Sequence, residues 1–191
     1  MSTLEMRQEC QRLLTLRPLF LECKASQSGP GAEVVEIALV EGDGTCLLDE
    51  LVRPKREIDA ALAEVHGITN KIAQYATPWS DVWTQAKKLL YGRIVGVFEL
   101  ETQLDCMRQS HSNYYLRWDL DPAKFFCIQK VHAEYQSDWD RSTNNFRSYG
   151  LEEAAELVGL PSEPLALHRR ALEDARLVRA LMLAMAGWKI T

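Results

Sequence analysis

The sequence predicts a mixed α/β fold, one β-sheet with helices packed on both faces. Three observations carry this reading. Short apolar runs at Leu19–Leu21, Arg93–Phe98 and Phe125–Ile128 are too brief for helices and are bounded by Pro, Gly or polar residues, as buried strands are. Two strand-like stretches, Glu33–Val40 and Cys46–Val52, flank Glu41-Gly-Asp-Gly-Thr45, where Asp43-Gly44 tolerates positive φ, so they read as an antiparallel hairpin. Longer stretches with apolar residues at helical spacing lie between and after these strands.

Taken in order, Ser2 or Thr3 caps a first helix over Leu4–Leu16, with Leu4, Cys10, Leu13 and Leu14 as its apolar stripe. Pro18 ends it, and Leu19–Glu22 is the central strand. Gln27–Gly31 is a turn by composition, and the hairpin follows. Ile58–Val65 has helical spacing, and His66-Gly67 stops it, with Gly67 taking positive φ. Thr69 caps a short turn holding Ile72. Ser80 caps a helix over Asp81–Tyr91, with Gly92 just past its end. A strand at Arg93–Phe98 and a helix at Glu101–Ser110 come next. Asn113–Pro122 is a loop carrying Tyr114, Tyr115 and Trp118, which either stack on bases or cap the core. An edge strand at Phe125–Ile128 leads into a short helix through Tyr135. Ser137–Ser148 reads as a polar loop. Leu151–Val158 is a short amphipathic helix, and the last helix runs over about Leu167–Ala186 with Leu172, Ala175, Val178, Met182 and Met185 on one face. Five strands result. The 191 residues suit one domain, 1–191, with 1–16 as an appended helix.

Composition narrows the function. A formal net charge of −5 argues against a general nucleic-acid coat or an anionic-membrane binder, because counterion release needs a basic face. A local basic groove stays open. Five widely spaced cysteines without a Cys-x-x-Cys pair argue against a zinc site or disulfide framework and for a reducing cytoplasm. Neither a signal peptide nor a membrane-length apolar run is expected.

The chemistry-bearing stretch is Pro18-Leu-Phe-Leu-Glu-Cys-Lys-Ala-Ser26. Its apolar half turns abruptly polar at its C-terminal end, where open α/β sheets collect their functional groups. Glu22 and Lys24, two residues apart on a strand, point to one face. Taken alone, the pair is a solvated strand end.

Further residues make the chain resemble a family. Leu51-Val-Arg-Pro54, Ile58, Val65-His-Gly-Ile-Thr69 and Pro78 are similar to the segment after the third strand of the DnaQ-like, or DEDDh, 3′–5′ exonucleases of the RNase H-like superfamily. Val34-Val-Glu-Ile-Ala38 resembles that family's second strand, and Arg169-Arg-Ala-Leu-Glu-Asp-Ala175 the motif opening its last helix. The resemblance covers roughly Pro18 to Leu183. It implies an RNase H-like (DnaQ-like exonuclease) mixed five-stranded sheet with helices on both faces. It also implies phosphodiester hydrolysis from a 3′ end, in which four carboxylates hold two divalent cations, Mg²⁺ or Mn²⁺, and a His acts as general base.

The family's first motif, Asp-x-Glu, is Glu22-Cys23-Lys24 here. The second motif's Asp falls on Thr102, or on Gln103 if one residue is inserted. The third motif's His falls on Arg169, with His168 one step earlier; Asp174 is kept. Lys24 brings a positive charge where a cation should bind, and at ~4 Å such a repulsion costs roughly 4 kcal/mol at an effective dielectric of 20. The expected vestigial site is therefore Glu22, Lys24, Thr102, His168, Arg169 and Asp174, with Glu22 and Asp174 as remaining metal ligands and Lys24 bridging them. The favoured function is a catalytically inactive module that binds single-stranded nucleic acid or a protein partner and needs no cofactor. Arg169 and Arg170, with Arg53, Lys55, Arg56, Lys87 and Lys88, are the candidate strand-binding residues. Two alternatives stay open: an active nuclease using Mg²⁺ or Mn²⁺ with rearranged ligands (Glu22, Glu99 or Glu101, Asp105, Asp174, His168 as base), and a structural scaffold such as a homo-oligomer.

Overall fold

A computed structural model describes residues 2–161 and 168–189. The elements are α1 (Thr3–Thr15), β1 (Leu19–Ala25), β2 (Val34–Val40), β3 (Cys46–Arg53), α2 (Ala60–His66), α3 (Asn70–Ala73), β4 (Thr77–Pro78), α4 (Trp79–Leu90), β5 (Val95–Val97), α5 (Leu100–Asn113), β6 (Phe125–Cys127), α6 (Ile128–Gln136), β7 (Trp139–Asp140), β8 (Asn145–Phe146), α7 (Leu151–Leu157) and α8 (Ala171–Ala186). The main sheet has the order β4-β3-β2-β1-β5-β6. β1 is central: it pairs antiparallel with β2 and parallel with β5, which is the arrangement the apolar runs predict. The sheet is mixed and flanked by helices, with six strands rather than five. The extra one, Thr77–Pro78, adds two residues parallel to the end of β3; so short a strand, with a proline in it, leaves no alternation for a sequence pattern to register.

Alternation along β1 sorts the molecule into two layers. Phe20 is buried in a cluster with Cys10, Leu13 and Leu14 of α1 and Ala175, Val178 and Met182 of α8. Leu19 and Leu21 go to the other face, with Trp79, Val82, Trp83 and Ala86 of α4 and Leu104 and Met107 of α5. The α1 helix is capped by Ser2, whose hydroxyl accepts from Glu5 N. It is no mere appendage: Met6, Cys10, Leu13 and Leu14 are buried. Two glycines serve close approach. A Cβ on Gly96 would lie 2.7 Å from Ile128 Cδ1 and 2.8 Å from Phe126 Cζ, so β5 can be covered this tightly only without a side chain. Gly67, at φ 73°, ends α2 in the left-handed region, as the His66-Gly67 stop requires, and a Cβ there would meet the His168 ring.

Several boundaries move. Asp59 caps α2 and Thr69 caps α3. Pro78, not Ser80, precedes α4, while the Ser80 hydroxyl bonds Asp81. Within Ser137–Ser148 a small hairpin, β7–β8, forms where a loop was expected; Trp139 packs edge-on against Phe146. The expected start of the last helix at Leu167 lies outside the described residues; α8 is helical from Ala171. Among the described residues no helix is long and apolar enough to cross a membrane. Described cysteines are all unpaired, and burial pushes the Cys10 and Cys106 thiols up to about 12.

Candidate functional site

A pocket of about 230 Å³ opens at the C-terminal end of β1 and is lined in part by Glu22, Phe98, Glu99, Thr102, Gln103, Arg169 and Asp174. Even-numbered residues of β1 face α8, so Glu22 and Lys24 continue the row begun by Phe20.

Glu22 is 3% exposed. Its Oε1 accepts from Phe98 N at 2.8 Å, and its Oε2 accepts a short bond from Gln103 Nε2. Gln103 is held in turn by its Oε1, which accepts from Cys23 N at 2.8 Å. Burial raises the Glu22 carboxyl to about 8, against the opposing pull of the two hydrogen bonds. Burial thus favours its neutral form.

Asp174, 7% exposed, sits in the first turn of α8. Lys24 Nζ donates to its Oδ2 at 2.5 Å, and both side chains are nearly buried. Arg169 Nε lies against Asp174 Oδ1 as an ion pair whose atoms are not aligned for a hydrogen bond. The same guanidinium donates from Nη1 to Glu152 Oε1 at 2.7 Å. One carboxylate thus holds two cations.

A second buried carboxylate, Glu36, completes the cluster. It stands opposite Lys24 in the β1–β2 register. Its Oε2 accepts from Ala171 N at 2.8 Å, at the start of α8, and its Oε1 accepts a short bond from Arg170 Nη2. Glu173 Oε2 accepts from Arg170 N at 2.8 Å. Two carboxylates on the first amides of α8 satisfy otherwise orphaned donors and match its dipole.

The structure thus brings Glu22, Lys24, Arg169 and Asp174 together, with Thr102 in the same pocket. Of the two residues weighed for the second motif, Gln103 bonds Glu22 and Thr102 lines the same pocket. His168 is not brought in. Its Nδ1 lies 3.0 Å from Glu64 O, on the C-terminal turn of α2, and its ring packs over Gly67. Asp105 is exposed and paired with Arg108 at 2.7 Å, and Glu101 does not line the pocket; of the rearranged ligand set only Glu22, Glu99 and Asp174 meet. Arg169 and Arg170, expected in an open strand-binding groove, are instead tied to Asp174, Glu152 and Glu36. Among the described residues no three of His, Cys, Asp and Glu converge to hold a metal ion.

Glu36 is the residue that sequence reasoning missed. Its signal was a carboxylate in the middle of Val34-Val-Glu-Ile-Ala38, a strand buried along its whole length. A charge at such a position requires a partner. His66 is a buried structural residue: its Nδ1 accepts from Ile68 N at 3.1 Å, so its Nε2, 3.2 Å from Ala25 O, carries the proton. Trp118 stacks on Trp83 and Lys55 lies over the Tyr114 ring, so these two aromatics cap the core, while Tyr115 is exposed.

No family model matches the chain. An uncharacterised exonuclease, CP81, of Escherichia phage 186 is 29% identical over 174 residues, covering 88% of this chain and 87% of the phage protein. RNA exonuclease 5 of Homo sapiens is 41% identical over 75 residues, 38% of this chain and 10% of that protein. RNA exonuclease 4 of Gibberella zeae is 28% identical over 113 residues, 58% of this chain and 34% of that protein; the match spans about a third or less of either RNA exonuclease. Among solved structures, the nuclease domain of 3′hExo, a DEDDh family member bound to rAMP, superposes with a TM-score of 0.69 at 14% identity, covering 88% of this chain and 90% of that one. Exonuclease X in complex with 5′ overhanging duplex DNA gives 0.59 at 19% identity, over 90% and 93%. At these identities the superpositions speak for the fold.

Proposed function

We propose that the chain is a catalytically silent member of the DnaQ-like (DEDDh) 3′–5′ exonuclease family, which binds nucleic acid without cleaving it; the exonuclease relatives and the shared fold support this reading. The observation that carries this is the Lys24–Asp174–Arg169 cluster: the one retained acidic ligand of the family pattern is neutralised by two side chains of the same chain.

The donor set does not fit two divalent cations. Such a site needs several ionised oxygens aimed at shared points. Burial disfavours ionisation of Glu22, and both its oxygens already accept protein hydrogen bonds. Gln103 offers a neutral amide already engaged with Cys23 N and Glu22. Asp174 would have to release Lys24, which would then stand uncompensated beside the metal. Arg169 cannot take the place of a general base, because its guanidinium stays protonated. No catalytic step is therefore assigned. Lys24 Nζ supplies internally the positive charge that a metal supplies in an active homologue, and it holds α8 against β1. Binding of nucleic acid is inferred from the fold's other members, among them structures in complex with duplex DNA and with a histone mRNA stem-loop.

The test pairs calorimetry with degradation. Titrating the protein with Mn²⁺ should give no saturable heat in the micromolar range, and a labelled oligonucleotide with Mg²⁺ or Mn²⁺ should stay intact. The variant combining Glu22→Asp, Lys24→Glu, Gln103→Asp and Arg169→His should gain Mn²⁺ binding. Tight Mn²⁺ binding by the wild type, with degradation abolished in Asp174→Ala, would overturn the reading.

A further inference from the structure

A second cavity lies on the opposite face of the sheet. It is a cleft of about 500 Å³ between α4 and the chain following α5. Its walls carry Lys87 and Lys88 of α4, Tyr91 just beyond that helix, and Arg117 and Asp119 of the loop, over a floor that includes Trp83. Trp83 belongs to the cluster on the α4 and α5 side, whereas the Asp174 pocket is built against α8. The two cavities are separate.

Three cations face one carboxylate here, on a chain whose net charge is −5. Asp119 is already clamped by Lys87. Lys88 and Arg117 are exposed and enter no ion pair among the described residues. A bland reason exists for the lysines, since both sit in the last turn of α4, where cations suit the helix dipole. Arg117 comes from a loop and has no such reason. The aromatic groups point the same way. Tyr91 is 83% exposed, far more than core packing explains. Tyr115, which directly precedes the cleft residue Leu116, is 97% exposed and held at φ 54°, a left-handed backbone conformation costly for a bulky residue. Displayed tyrosines beside unpaired cations match the two features of single-stranded nucleic acid: a π-face on every base and a negative charge on every phosphate.

We propose that this cleft is a binding site for single-stranded nucleic acid, with Lys88 and Arg117 on phosphates and Tyr91 and Tyr115 stacking on bases. The site deepens the silent-module reading, yet it needs nothing from the Asp174 pocket and carries no sequence readout.

The experiment is fluorescence anisotropy with a labelled single strand of about 12 nucleotides, within the footprint of such platforms, over a salt series. The wild type should bind, with log K falling as log salt rises. The double variant K88E/R117E should bind at least tenfold more weakly and lose about 1.4 from the salt slope, two phosphate contacts at about 0.7 each. Its melting temperature should change little, because Lys88 loses only an exposed helix-dipole interaction and Arg117 only an exposed attraction to Asp119. Y91A and Y115A should each weaken binding by at least about fivefold while leaving the slope alone. Binding of K88E/R117E equal to wild type would overturn the cleft while leaving the silent-module reading, which calorimetry tests, intact. Equal competition by polyglutamate would overturn it too, since plain charge attraction needs no stacking. A wild type that binds no strand at low salt removes the cleft as a site and the nucleic-acid part of the function with it; metal affinity is still measured separately.

Discussion

The two faces of the sheet use cations in opposite ways. On the α8 face, Lys24, Arg169 and Arg170 are each tied to a carboxylate, and Asp174 and Glu36 are almost fully buried. On the α4 face, Lys88 and Arg117 project into an open cleft with no carboxylate of their own. The difference teaches what a lysine or arginine in a sequence signifies. Cations paired with buried carboxylates are committed to them, because breaking such a pair leaves an anion that water cannot reach. Exposed cations contribute little to stability and stay available to an external anion. The α8 cluster therefore belongs to the fold, and the α4 cleft to recognition.

That contrast can be broken experimentally, and the largest effect is expected at Asp174. Asp174→Ala strands Lys24 and Arg169 and should cost about 3–5 kcal/mol in urea unfolding. The apolar double replacement K24M/D174L should cost less than Asp174→Ala alone, because it leaves neither charge unpaired. If Asp174→Ala unfolds like wild type, the cluster is not structural and the contrast between faces fails.

Next comes Glu36. Glu36→Ala removes the acceptor of Ala171 N and the partner of Arg170, and should cost about 1–3 kcal/mol. Hydrogen exchange should localise the loss to the first turn of α8. Fraying spread evenly over the molecule would count against a capping role.

Glu22 gives a pH signature of intermediate size. Its folded carboxyl titrates at about 8, above its unfolded value of 4.5. The neutral form is the one the fold favours. Its contribution is complete below about pH 4.5 and is lost as pH rises toward 8, at no more than about 1.4 kcal/mol per pH unit. Stability of Glu22→Gln minus that of wild type should therefore be flat below pH 4.5, rise up to pH 8 and level off above. The histidines cancel in this difference. A difference that is flat throughout would mean that Glu22 is ionised and available to a cation.

The smallest effect belongs to the α4 face. Asp119→Asn, which releases Lys87, should change stability by less than about 1 kcal/mol, since the pair is exposed. It should strengthen single-strand binding by adding a free cation to the cleft. A large loss of stability would place this pair with the buried ones.

Much of this architecture follows from local pattern. The apolar run before Glu22, the Asp43-Gly44 turn and the His66-Gly67 stop each report on neighbours a few residues away, and each stands where the residues imply. The pairing of Glu22 with Lys24 on one face follows from alternation alone. Other features depend on side chains from distant segments meeting. Lys24 and Asp174 are 150 residues apart and Arg170 and Glu36 134 apart. No local rule decides whether Arg169 turns inward to Asp174 or outward to a ligand; the packing of α8 across β1 and β2 decides it. A rotation of α5 by one residue separates Thr102 from Gln103, and only the helix's seat on the sheet selects Gln103 as the partner of Glu22. The α4 cleft exists because the loop after α5 folds back over Trp83, which places Arg117 beside Lys88. Sequence determined most of the elements and the residues that carry charge; tertiary structure decided which charges are spent on one another, because that balance is set by burial and by contacts between segments far apart along the chain.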